Sequence, residues 1–129
     1  MAFQRFTESG KGYRPKISLR PSGTIGINDS ALKKFGLAEF DFIALYFDPE
    51  SKRIAVGGAR ESEAGSQRLN KGNRGAAISA KRFLDFHDIR VSRVTHFECH
   101  LDIEQNLVIL DKEIEREDSK KINSRKSVE

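Results

Sequence analysis

The side chains of this chain that could do chemistry are chiefly its cations. Lys16 and Arg20 lead into a Pro21-Ser22-Gly23 turn, and Arg68, Lys71 and Arg74 border a second turn-rich stretch, Asn70 to Gly75. Residues 1–20 carry Arg5, Lys11, Arg14, Lys16 and Arg20 against Glu8 alone, and residues 68–82 carry Arg68, Lys71, Arg74, Lys81 and Arg82 with no acid. Clusters of this kind bind polyanions by neutralising phosphates and releasing their counterions. Arg20 and Arg74 are the candidates for base-edge contact, since a guanidinium can read guanine with two parallel hydrogen bonds. Lys16, Arg68 and Lys71 are the candidates for the backbone. Gly23, Gly72 and Gly75 would let the main chain come close to a ligand.

Other chemistries find less support. His96-x-Glu98-x-His100 falls on an expected strand, where alternate residues share a face, but zinc sites need a more definite ligand set, so it reads as an exposed polar face. Phe97, Cys99 and Leu101 are the opposite, core face, which makes Cys99 a small buried hydrophobe. His87 follows a helix end, where a cation suits the dipole. No Ser or Cys has a base and an orienting third group that a triad would require. Gly10-Lys11-Gly12 and Gly57-Gly58-Ala59-Arg60 lack the spacing of phosphate loops. The reading is of a protein that is not an enzyme and needs no cofactor or metal.

Composition bounds the rest. The chain has 129 residues, which suits one compact domain, or two very small units sharing a core. A single Cys excludes a disulfide-stapled scaffold or a cysteine-rich zinc module. No uncharged apolar run approaches the roughly 20 residues of a membrane helix, and residues 1–10 lack a signal core, so no membrane partner and a cytoplasmic location are expected. Residues 1–93 hold 17 bases and 10 acids, while residues 94–129 hold 6 and 9.

These cations need elements to position them. Residues 1–15 mix Phe3, Phe6 and Tyr13 with basic and Gly residues in no regular period and read as an arm. From Lys16 onward, Ile17 and Leu19 alternate with Ser18 and Arg20, the period of a half-buried strand. Pro21-Ser22-Gly23 turns the chain, and Ile25 and Ile27 point a second strand inward. Asn28, Asp29 and Ser30 can each cap a short helix over 31–35, and Gly36 fits the left-handed position after it. Phe42 to Phe47, an Asp48-Pro49-Glu50-Ser51 turn and Arg53 to Val56 complete a second hairpin.

The second half repeats this pattern. After Asn70 to Gly75 come Ala76 to Ile78, a helix capped by Ser79 that sets Phe83 and Phe86 where Leu32 and Phe35 stood, and Ile89 in the place of Leu37. Val94 to Leu101, a turn over 102–106 and Leu107 to Leu110 answer the earlier hairpin, with Asp102 matching Asp48, Val108 matching Ile54 and Leu110 matching Val56. The expected fold class is α+β and β-rich: two pseudo-symmetric ββαββ repeats, 16–56 and 68–110, joined by a linker over 57–67. They would form a small barrel or an intramolecular pseudo-dimer, since one such unit is too small to bury its own sheet face. Residues 111–129 are a charged tail whose Glu113, Glu115 and Glu117 are either solvated or a shield for the basic surface.

Residues 16–56 resemble the AbrB/MazE-type swapped-hairpin DNA-binding domain. Ser22-Gly23, Ile25, Ile27, Leu32, Gly36-Leu37, Asp41, Ile43, Leu45 and the Asp48 turn follow the order of that pattern. Asn28 stands where the family has Pro, Phe40 replaces the common Gly, and Lys33 or Lys34 stands for the basic residue late in the helix. The resemblance implies DNA binding through basic residues on the hairpin turns, or an antitoxin-like hold on a protein partner. Duplex DNA is therefore the expected partner. A protein-interaction module and a single-strand binder that stacks bases on Phe3, Phe6 and Tyr13 are the alternatives, and a homo-oligomer is left open.

Overall fold

The computed structural model describes residues 14–114. Its elements are β1 (Ile17–Leu19), β2 (Thr24–Asn28), α1 (Asp29–Lys34), a 3-10 turn (Leu37–Glu39), β3 (Phe42–Asp48) and β4 (Arg53–Ala59), followed by β5 (Gln67–Arg68), β6 (Asn70–Lys71), β7 (Gly75–Ser79), α2 (Lys81–Phe86), β8 (Thr95–Asp102) and β9 (Leu107–Glu113). All nine strands are antiparallel neighbours in one sheet of order β5-β3-β4-β9-β8-β1-β2-β7-β6. The two ends of that order, β5 and β6, are successive dipeptides separated only by Leu69. The sheet thus curls into a nearly closed barrel, with two short helices beside it. Among the described residues no helix is long and apolar enough to cross a membrane.

Period-two alternation decides which side faces inward. Ile17, Leu19, Ile25, Ile27, Ile43, Ile54, Val56, Ile78, Val108 and Leu110 fill the barrel, none more than 6% exposed. Ser18, Gly26 and Ala77 occupy the opposite face of the same strands. α1 begins at Asn28, whose side-chain oxygen accepts from the Ala31 amide at 2.9 Å and ends one unpaired N–H of the first turn. Gly36 (φ 72°) ends the helix, and Leu37 turns back into the core at 3% exposure.

Turn geometry recurs along the chain. Six of the seven left-handed residues in the described region fall into pairs: Gly23 with Gly75, Gly36 with Asp88, and Lys52 with Asn106. The β8–β9 register repeats that of β3–β4 displaced by 54 residues, from Asp48↔Arg53 and Asp102↔Leu107 back to Leu45↔Val56 and Cys99↔Leu110. At the start of each of these turns an aspartate folds back on the loop. Asp48 accepts from the Ser51 hydroxyl (2.9 Å) and the Glu50 amide (3.0 Å), and Asp102 from the Gln105 side-chain amide (2.9 Å) and the Gln105 backbone (3.2 Å).

Several expectations are corrected. Gly57 to Ala59, expected in the linker, continue β4, because without a side chain Gly58 leaves room for the Phe40 ring lying against it. Gln67 pairs with β3, so only residues 60–66 connect the halves. Asp111 to Glu113, expected in the tail, extend β9. The expected arm lies outside the described residues except for Arg14 and Pro15, as does the tail from residue 115. The expected start of α2 is one residue early: Ala80, not Ser79, is its N-cap, and it supplies no side-chain bond. That extra residue rotates the helix by about 100°. Leu84 therefore enters the core at 4% exposure, Phe83 is half-buried, and Phe86 stands 83% exposed beside His87.

Two measurements test this account. Leu84→Ala should cost about 3 kcal/mol in urea denaturation, as deletion of a buried Leu side chain does, while Phe86→Ala should change stability by less than about 0.5 kcal/mol. The hydrogen bonds from Ser51 and Glu50 hold the Asp48 carboxyl below its ordinary value of 3.8, and those from Gln105 do the same for Asp102. A carboxylate depressed on folding adds stability above its unfolded value and loses it as pH falls through the folded one. Melting temperatures followed downward from about pH 4 should therefore fall less steeply in Asp48→Ala/Asp102→Ala than in the wild type.

Candidate nucleic-acid interface

The outer faces of β1, β2 and β7 form the floor of an open groove of about 1530 Å³. A single row of residues crosses it: His96 on β8, Ser18 on β1, Gly26 on β2, Ala77 on β7 and Asn70 on β6. Each is small or polar, so a ligand can reach the sheet closely. The Ser18 hydroxyl and His96 Nδ1 lie 2.6 Å apart.

Cations border this floor. Lys16, Arg20, Lys33, Lys34 and Arg74 all line the groove, and Asp29 is the single acid among the described residues that line it. Lys33 holds Asp29 at 3.0 Å, an exposed i,i+4 pair of little energetic weight. Arg20 follows β1 and closes the turn by accepting from the Gly23 amide at 2.9 Å. Its guanidinium lies over Gly26, where a Cβ would sit 3.2 Å from Nη2. The absence of a side chain at Gly26 is what lets Arg20 reach across the sheet. Among the described residues Arg20, Lys34 and Arg74 form no ion pair.

Local bonds hold the basic segments against one another. Asn28 Oδ1 accepts from the Lys16 amide (3.1 Å) as well as from Ala31, and its amide nitrogen donates to the Arg14 carbonyl (2.8 Å). The Asp29 amide donates to the Arg74 carbonyl at 3.1 Å, which seats the turn after β6 on the start of α1. Asn28 thus joins β1, α1 and the chain entering β1.

Of the five residues expected from sequence, the groove gathers Lys16, Arg20 and Arg74. Arg68 and Lys71 lie elsewhere. The Arg68 guanidinium stacks 5.1 Å from the Phe42 ring centre, and Lys71 Nζ donates to the Ala38 carbonyl (2.8 Å) and lies 3.5 Å from Asp41. Each has a nearby partner on or before β3 and is drawn to it. Lys33 and Lys34 complete the groove. Sequence pointed to them only as the late basic pair of α1, since their meeting with Arg74 depends on how the turn docks.

The other candidates do not assemble. His100 bonds Asp111 on β9 at 2.8 Å while His96 turns to Ser18, so the His96-x-Glu98-x-His100 triplet does not converge. Among the described residues no cluster of three His, Cys, Asp or Glu could hold a metal. Burial pushes the Cys99 thiol up to about 11, helped by the Asp111 charge, which keeps it protonated and a poor nucleophile at neutral pH. No family model matches the chain, and neither a curated protein nor a solved structure is found similar to it.

Proposed function

We propose that this chain is a DNA-binding accessory or regulatory protein that holds duplex DNA against the basic groove. The carrying observation is the groove itself: Lys16, Arg20, Lys33, Lys34 and Arg74 meet over a floor of Ser18, Gly26 and Ala77, with Asp29 as the only acid among the described residues that line it. Phosphates placed there would meet cations with little desolvation of acidic groups, the arrangement that drives counterion release. Among the described residues no Phe or Tyr lines the groove to offer a stacking platform, which favours duplex over single-stranded nucleic acid. Arg20, whose reach extends across the floor, is the side chain best placed to enter a DNA groove.

The same proposal takes the chain as two copies of one ββαββ unit, related to the swapped-hairpin domains that residues 16–56 resemble. The ladder pattern supports it. Exchanging β1 with β5 and β6, β2 with β7, β3 with β8 and β4 with β9 turns the β1–β2 ladder into β6–β7, β3–β4 into β8–β9 and β1–β8 into β3–β5, while β2–β7 and β4–β9 map onto themselves. The paired left-handed residues support it too. The exchange axis crosses the sheet at Gly26 and Ala77, in the middle of the groove floor.

A salt series tests the function. With five cations engaged, log affinity for a duplex should fall against log salt with a slope of about −4.5. Arg20→Ala/Arg74→Ala should lose at least about tenfold in affinity and flatten the slope by about 2, while Arg68→Ala, on the Phe42 ring, should bind like the wild type. Wild-type binding that is absent at 50 mM salt, or that ignores salt, would reject the reading. Equal losses in the Arg68 variant and the double variant would move the interface away from the groove.

A further inference from the structure

If the groove binds nucleic acid as proposed, its charges also say how. Two recesses meet at Arg20, which lines both. One is the groove itself, bordered by α1 and the Arg74 turn. The other, about 270 Å³, lies between the Pro21 turn and α2. Among the described residues the α1 side carries Lys16, Lys33, Lys34 and Arg74 against Asp29. The α2 side carries as many acids as bases beyond Arg20, and each acid is held by its own cation: Asp85 by Lys81 at 3.5 Å and Asp88 by Arg90 at 3.4 Å.

The same asymmetry appears between matching positions of the halves. The aligned left-handed residues place α2 52 residues after α1, so that Asp85 stands where Lys33 does and Phe86 where Lys34 does. By that spacing Gly72 answers Arg20 and Ser22 answers Arg74. Arg68 answers Lys16, but its guanidinium lies on Phe42. By the same spacing Lys81 and Arg82 stand where Asp29 and Ser30 do, but Lys81 is held by Asp85 and Arg82 lines neither recess, so among the described residues a backbone with two-fold-related half-sites meets no matching second bank of cations there.

We propose that the groove grips its polyanion from one side only. The bound backbone runs from Arg20 along α1, past Lys33, Lys34 and Arg74, and the α2 side leaves the rest of the ligand in solvent. The ligand class is a nucleic acid engaged along one phosphate run, at a site with no dyad, although the barrel that binds it has two like halves. This is the opposite of a symmetric dimer, whose two equal banks select palindromic sites.

Matched charge removals on the two helices test the proposal, because both pairs change the net charge equally. Lys33→Gln/Lys34→Gln should lower affinity for a labelled 20-base-pair duplex at least about tenfold at 50 mM salt and flatten the salt slope by about 2. Lys81→Gln/Arg82→Gln should lower it by less than about threefold, the part due to long-range attraction. Building the missing bank should add affinity: Asp85→Lys/Phe86→Lys, at two exposed positions, should tighten binding and steepen the slope by about 2. Thermal melts of each variant separate a folding defect from a binding defect. Wild-type binding with equal losses in the two Gln pairs, or with no gain in the Lys pair, overturns the one-sided grip and leaves the groove reading standing. Failure of the wild type to bind in a salt-dependent way overturns both.

Discussion

A curled antiparallel sheet has two edges, and in this chain both belong to the five residues Gln67 to Lys71. Gln67 and Arg68 complete the β3 edge, Asn70 and Lys71 complete the β7 edge, and Leu69 between them is buried at 4% exposure with its amide donated to the Asp41 carbonyl at 2.8 Å. Exposed strand edges are costly because unpaired backbone groups invite the wrong partner. One short segment meets that cost for both ends. It joins β3 of the first half to β7 of the second, through Phe42↔Arg68 on one side and Asn70↔Ala77 on the other. The closure is non-local, so neither half can have the barrel without the other.

That closure explains the fate of the basic residues between 68 and 82. Arg68 and Lys71 lie on the closing segment and bind across it, one on the Phe42 ring and the other on the Ala38 carbonyl and Asp41. Two residues that look suited to phosphate are thus part of the seam. Arg74 lies past the seam, where the turn lands on α1, and it alone of these three reaches the groove. Lys81 is neutralised within its own helix by Asp85. A run that reads as one basic patch is divided by the fold among closure, groove and helix surface.

What the sequence made legible was local. The alternation of Ile17 and Leu19 with Ser18 and Arg20, the turn at Gly23, the cap at Asn28, the stop at Gly36 and the Asp48 and Asp102 turns all depend on neighbours within a few residues, and the structure has each of them. The errors lie where one element's neighbour decides. Gly57-Gly58 looks like a linker until the Phe40 ring occupies the space above it. Counting from Ile78 puts Phe83 inward, but the extra residue at Ala80 turns α2 and Leu84 takes the core instead. The groove was half legible: Lys16, Arg20 and Arg74 sit on turns whose position follows from the strands, whereas Lys33 and Lys34 join them only because a distant turn docks on α1.

The junction at Asn28 gives that docking its consequence for binding. One side chain fixes the amides of Lys16 and Ala31 and the carbonyl of Arg14, and the next residue's amide fixes the carbonyl of Arg74. The backbones that carry Lys16, the α1 lysines and Arg74 are therefore set relative to one another before any ligand arrives. Ordering backbone on binding costs roughly 1 kcal/mol or more per residue, and here that cost is borne by folding. Lys34 and Arg74, exposed and without an ion pair among the described residues, keep side chains that could follow phosphates of varied spacing if the groove binds nucleic acid as proposed. On the proposed reading, a fixed backbone carrying long charged side chains favours backbone recognition over a fixed base code. Arg20 is the exception, since Gly26 gives its guanidinium a defined resting place on the floor, and any sequence preference should centre on it.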